Sequence, residues 1–165
     1  MTLARERPRA LLTAVELEPA ALEVARANAR RHGVALKLVR GEWFDALAGE
    51  RYDLIVSNPP YVAHGDPHLQ RGDLRFEPPR ALVGGADGLD CIRAIAAQAP
   101  AHLDPGAWLL LEHGHDQAAA CRALLAAHGF VEVQSWRDLA GIERVSGARA
   151  AMKLNDSTDE RTISR

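Results

Sequence analysis

Four short apolar runs constrain this chain more than any other feature: residues 11–16 (LLTAVE), 36–39 (LKLV), 52–57 (YDLIVS) and 107–112 (AWLLLE). Each is too short for a helix. Each is also apolar enough to be covered on both faces, which is the pattern of strands in a parallel sheet clad by helices. The segments between them carry helix signals. Pro19 suits a first helical turn, Leu22, Ala25 and Ala29 form an apolar stripe, and Arg30, Arg31 and His32 followed by Gly33 make a cationic last turn and a left-handed cap. Leu89, Ile92, Ile95, Ala96 and Ala99 predict a second helix that Pro100 ends or kinks, and residues 116–128 a third, closed by Gly129. Residues 131–136 and 142–146 read as strands near enough in sequence to pair antiparallel. A layered α/β fold follows.

Composition restricts function. The 165 residues include 20 basic and 22 acidic ones, a formal charge of −2, so no general attraction to nucleic acid or to an anionic membrane is expected. No apolar run approaches the ~20 residues that span a bilayer, and MTLARERPRA lacks the apolar stretch of a secretory signal. The expectation is a cytoplasmic protein. Cys91 and Cys121, 30 positions apart within helical patterns, read as reduced, packed thiols. His64 and His68 flank Asp66 in HGDPH, but Gly65 and Pro67 oppose the helix on which that spacing would converge, so no metal site is expected. Residues 1–150 read as one folded domain, and the polar, aperiodic residues 151–165 as a disordered tail.

Ser57-Asn58-Pro59-Pro60-Tyr61 directly follows the third apolar run, which places it at the carboxyl edge of the sheet, where open α/β sheets bind ligands. Two prolines fix φ and remove two backbone donors, leaving carbonyl acceptors beside the Asn58 side-chain oxygen. A planar NH2 group fits such acceptors, and Tyr61 offers a ring face for the flat π system that bears it. Amides and nucleobase amines both qualify. Proline pairs are also common turn punctuation. Here the motif is followed by residues 62–88, with three further prolines, five glycines and little periodicity, a stretch long enough to read as a functional loop.

The stretch VSNPPYVAHGDPHLQRGDLRFEPPRALVGGADGLD, with LLLEHGHDQ and RDLAGIERVSGAR, resembles the HemK/PrmC family of protein-(glutamine-N5) methyltransferases, over about residues 4–149. The resemblance implies a class I, Rossmann-like fold that uses S-adenosylmethionine to methylate a glutamine side-chain nitrogen in peptide chain release factors. It implies that Asn58 and the Pro59 carbonyl hold the target amide, with Asn58 also bordering the cofactor. Pro60 then shapes the turn and Tyr61 packs on the amide. It also carries the ribose-binding carboxylate onto Glu16 and the adenine-stacking position onto Trp43, although Trp43 and Phe44 read equally as core aromatics. Glu16 and Glu42 stand where the family more usually has Asp. Glu112 and His113 are expected to support the site, and Arg75, Glu77 and Arg80 to meet a protein substrate or to be solvated.

The resemblance further implies a first strand, a glycine-rich turn and an N-terminal helical domain ahead of residue 11, and residues 1–10 supply none of them. Gly84, Gly85 and Gly88 follow no strand and do not replace that turn. The sheet is therefore expected to lack its central strand, leaving strands 11–16 and 52–57 either closed on one another or open-edged. Two rival functions follow: a weakly active or non-catalytic remnant, and a DNA adenine or ribosomal-protein glutamine methyltransferase that shares the NPPY motif.

Overall fold

Pro19 and Gly33 bracket the first helix as their backbone chemistry dictates. Pro19 occupies the first position of α2 (Pro19–Arg31), where its missing N–H is no loss, and Gly33 ends the helix at φ 61°. The helix connects β1 (Thr13–Glu16) to β2 (Lys37–Arg40), which pair in parallel with Thr13 opposite Lys37 and Glu16 opposite Arg40. The computed structural model describes residues 1–70 and 72–152, and the chain divides into two units, residues 1–50 and 51 onward. In the first, which opens with the short helix α1 (Thr2–Glu6), Ala4, Leu22, Ala29, Phe44 and Leu47 are buried.

The second unit carries β3 (Tyr52–Ser57), α3 (Pro79–Leu82), α4 (Asp90–Gln98), β4 (Leu103–Glu112), α5 (Ala118–Ala127), β5 (Val131–Arg137) and β6 (Glu143–Arg149). Its sheet has the order β3-β4-β6-β5. β3 and β4 are parallel, with Ser57 opposite Leu111, and β6 is antiparallel to both β4 and β5. The core is drawn from α4, α5 and β4. Ile92, Ile95, Leu103, Leu109, Leu111, Cys121 and Leu125 are each at most 1% exposed. Pro100 falls in a 3₁₀ turn, Ala99–His102, that takes over where α4 stops.

Several expectations change in the structure. Leu11 is fully exposed and the first strand begins at Thr13, with Leu12 contributing its carbonyl to the Lys37 N–H. Residues 62–88 are not irregular throughout. They hold 3₁₀ turns at Pro67–Gln70 and Gly72–Phe76 as well as α3. The third strand is not covered on both faces, since Leu54 and Val56 are 46% and 56% exposed. Among the described residues β1 pairs only with β2 and β3 only with β4, so each unit keeps a strand edge without a ladder partner. Residues 153–165, most of the expected tail, lie outside the described residues.

Burial separates two leucines of the same sheet. Leu109→Ala leaves a cavity at a fully buried position and should cost about 2–5 kcal/mol, whereas Leu54→Ala on the open strand should cost less than about 1 kcal/mol. Urea unfolding of both variants measures the contrast.

Candidate active site

Asn58, Pro59, Pro60 and Tyr61 begin where β3 ends, one residue past the Ser57–Leu111 pairing, and so lie beside Glu112 at the carboxyl edge of β4. Pro59 is buried and Pro60 half-buried, but Asn58 is exposed. Among the described residues the Asn58 side chain forms no hydrogen bond, and the Pro59 carbonyl accepts none from backbone. The turn therefore presents two unengaged acceptors on a backbone that the prolines stiffen.

Contacts from distant sequence hold this turn. Beyond Tyr61 the chain bridges to residues 82–85: the Val62 N–H donates to the Leu82 carbonyl, the Gly84 N–H to Val62 and the His64 N–H to Gly85, at 2.8–2.9 Å. The approach is close enough to require glycine. A Cβ on Gly84 would stand 2.4 Å from the Pro60 carbonyl oxygen, and one on Gly88, at φ 76°, 2.2 Å from that of Tyr61. Gln117, at the N-terminus of α5, ties three segments together. Its Nε2 donates to the Tyr61 and Asp87 carbonyls at 3.0 and 3.2 Å, and its Oε1 accepts the Gly114 N–H at 2.7 Å.

The Tyr61 ring is held at its other end. Arg144 Nη2 donates to the phenol oxygen at 3.0 Å, the phenol donates to Glu112 Oε1 at 3.2 Å, and the guanidinium lies 5.5 Å from the ring centroid. Burial raises the phenol above its ordinary pKa, Arg144 opposing the shift and Glu112 adding to it. Next to Glu112, His113 is fully buried, and its Nδ1 meets the Gly114 carbonyl at 2.8 Å. An acceptor there places the proton on Nδ1, so Nε2 accepts from Ser146 Oγ at 2.8 Å. Ser146 in turn accepts from Ser135 at 2.8 Å, and Ser135 from Arg122 Nη1 at 2.7 Å. This chain satisfies every member and ties the end of β4 to β6 and β5.

In the first unit, Glu16 ends β1 with one carboxylate oxygen accepting the Glu18 N–H at 2.8 Å. The Gly41 N–H donates to the Glu16 carbonyl, so Trp43 follows two residues beyond that contact. Phe44 is buried, which answers the ambiguity of that pair: Phe44 belongs to the core. Trp43 is half-buried in the left-handed region at φ 48°, a costly conformation for a bulky residue. The part-buried carboxylate and the indole have the chemistry to meet a ribose diol and an adenine face respectively.

The remaining candidates are peripheral. His68 is exposed, and its Nδ1 and backbone N–H both meet Asp66 Oδ1 at 2.8 Å, holding the Asp66 carboxyl below its usual range. Arg75, Glu77 and Arg80 are exposed, with Arg75 lying over the Phe76 ring. Gln117, Arg144 and the two glycines were not singled out as site residues from sequence. The GGADG run and ERV are visible there, but nothing local says that they meet Tyr61.

The family described as "Methyltransferase small domain" matches residues 1–73. A methyltransferase from Pyrococcus furiosus superposes with a TM-score of 0.67 at 18% identity, covering 92% of this chain and 68% of that one. A Thermus thermophilus 16S rRNA N2 G1207 methyltransferase in complex with AdoMet and guanosine does so with a TM-score of 0.64 at 22% identity, covering 90% and 33%. The fold is that of the class I S-adenosylmethionine-dependent methyltransferases. Within that class, a Xylella fastidiosa protein named release factor glutamine methyltransferase is 55% identical over 150 residues, 90% of this chain and 54% of that protein. Over about nine-tenths of its length the chain is homologous to such relatives, and it spans about half the length of the curated relatives it matches.

Two substitutions test the bracing. Gly88→Ala forces a Cβ against the Tyr61 carbonyl and demands a left-handed alanine. It should lower the urea midpoint and shift the backbone NMR signals of residues 58–62. Ser146→Ala leaves the buried His113 Nε2 without its donor and should cost about 1–3 kcal/mol in the same unfolding measurement.

Proposed function

We propose that this chain transfers a methyl group from S-adenosylmethionine to the side-chain amide nitrogen of a glutamine in a peptide chain release factor, a protein substrate met in the cytoplasm. The observation that carries this reading is the pair of unengaged acceptors at the carboxyl edge of the sheet, the exposed Asn58 side chain and the carbonyl of the buried Pro59. The homology to proteins named release factor glutamine methyltransferase supports it.

An amide nitrogen is a weak nucleophile because its lone pair is delocalised into the carbonyl. S-adenosylmethionine, when bound, supplies a methyl on a positively charged sulfur. Bound there, it would give up that methyl to the amide nitrogen and leave as a neutral thioether, and the nitrogen would lose one of its two protons. The protein's own contribution is placement. Asn58 Oδ1 and the Pro59 carbonyl each accept one N–H of the amide, orient its nitrogen and stabilise the positive charge that develops there. Pro60 keeps the backbone in that shape, and Tyr61 offers its ring face to the amide plane.

Glu16 and Trp43 are the residues proposed to hold the cofactor. With one Glu16 oxygen committed to the Glu18 N–H, the other is left for the ribose hydroxyls, and the Trp43 indole serves the adenine.

Asn58→Ala removes one acceptor without touching the prolines, so methylation of a glutamine-bearing release-factor peptide should be abolished while the circular dichroism spectrum is retained. Mass spectrometry of the peptide reads the outcome, and transfer at the wild-type rate would exclude Asn58 from the reaction. Tyr61→Ala should depress turnover more than calorimetric affinity for S-adenosylmethionine. Equal loss of both would place the ring against the cofactor instead.

A further inference from the structure

The Tyr61 hydroxyl has no role in the reaction derived above, yet three segments far apart in sequence converge on that residue. Its carbonyl is caught by Gln117 and pressed on Gly88, while its phenol sits between the carboxylate at the end of β4 and the guanidinium at the start of β6. The donors and acceptors leave one arrangement. Arginine has no acceptor, so Arg144 donates to the phenol oxygen, and the phenol's own proton goes to Glu112. The hydroxyl is therefore already committed before any substrate arrives.

The second consequence concerns the ring. With the guanidinium 5.5 Å from the ring centroid on one side, and the oxygen fixed at the far end of the side chain, the ring cannot swing about its Cβ without breaking both contacts. The 3.2 Å bond to Glu112 is long for a hydroxyl donor, which suits a contact that orients rather than binds tightly. A flat amide meets a ring productively only if the ring plane is set beforehand, because a displacement of about 1 Å at a reacting centre can cost on the order of a hundredfold in rate.

We propose that Arg144 and Glu112 are positioning residues that clamp the Tyr61 phenol, so that Tyr61 serves its substrate through a pre-set ring face and not through its hydroxyl. The proposal rests on the methyltransferase reading above and adds to it two residues, on β4 and β6, that act on the substrate only through Tyr61. Arg144 suits the task better than lysine would, since one planar group both donates to the oxygen and lies over the ring.

The test uses the full chain and two readouts. The first needs no activity: in a Tyr52→Phe background, Tyr61 is the sole tyrosine and its ionisation is followed by ultraviolet difference absorbance. Glu112 raises the phenol's pKa and Arg144 lowers it, so Glu112→Gln should shift the titration down and Arg144→Met should shift it up. The second readout is turnover on a glutamine peptide. Tyr61→Phe and Arg144→Met should each lower kcat about tenfold with little change in KM. The double variant should be no more than about twofold below the worse single one, because both changes break the same clamp. Arg144→Lys, which keeps a donor but not the planar cation, should fall between Arg144→Met and wild type.

Absence of opposed titration shifts would overturn the clamp itself. Opposed shifts with unchanged or fully additive kcat losses would overturn its positioning role while leaving the methyltransferase reading intact. A wild-type chain that binds the peptide but never methylates it would overturn that reading, and the positioning role with it.

Discussion

A strand that ends in two prolines cannot pass its chain on by donating backbone hydrogen bonds, and the second unit is organised around that constraint. Pro59 and Pro60 supply carbonyls alone, so whatever steadies the turn must bring donors or bare backbone to it. The loop over residues 82–88 brings backbone, with glycine wherever a Cβ would collide with the Pro60 or Tyr61 carbonyl. Gln117 brings an amide donor from the start of α5. The turn thus stays rigid while the Asn58 side chain and the Pro59 carbonyl remain unspent.

The same economy governs the end of β4. Glu112 and His113 are adjacent, yet they face different tasks. Glu112 receives the Tyr61 phenol at the site edge, and His113 turns inward to a hydroxyl chain that crosses β6 to β5 and finishes on Arg122. A buried imidazole with both nitrogens satisfied is a rigid peg, and it holds in place the strand end from which Glu112 projects. Arg144 enters from β6, whose pairing with β4 also fixes the register of Ser146 against Leu111. Sheet register and site geometry are therefore one problem here, since a slip of one residue would turn Ser146 away from His113 and Arg144 away from Tyr61.

Local chemistry made much of this readable beforehand. The order of strands and helices, the halts at Gly33 and Gly129, the end of α4 ahead of Pro100 and the position of Asn58-Pro59-Pro60-Tyr61 after a strand all follow from residues within a few positions of one another. The resemblance carried by NPPY and its neighbours agrees with the name that the homologues carry. Strand coverage was less legible: YDLIVS reads as buried on both faces, but an apolar run records only what a strand is able to bury, and Leu54 and Val56 lie on a strand with a single neighbour.

By itself, then, the sequence determined the α/β order and the place of the Asn58-Pro59-Pro60-Tyr61 turn after a strand, because those depend on periodicity, proline and glycine over short spans. Tertiary structure alone decided that Phe44 goes to the core while Trp43 takes a left-handed backbone, and that Gly84 and Gly88 serve as seats for two carbonyls. It alone joined Tyr61 to Gln117, 56 positions away, and to Arg144, 83 positions away. The reason is physical: a hydrogen bond between side chains depends on where strands lie in a sheet, and no local pattern encodes which distant donor a phenol will meet.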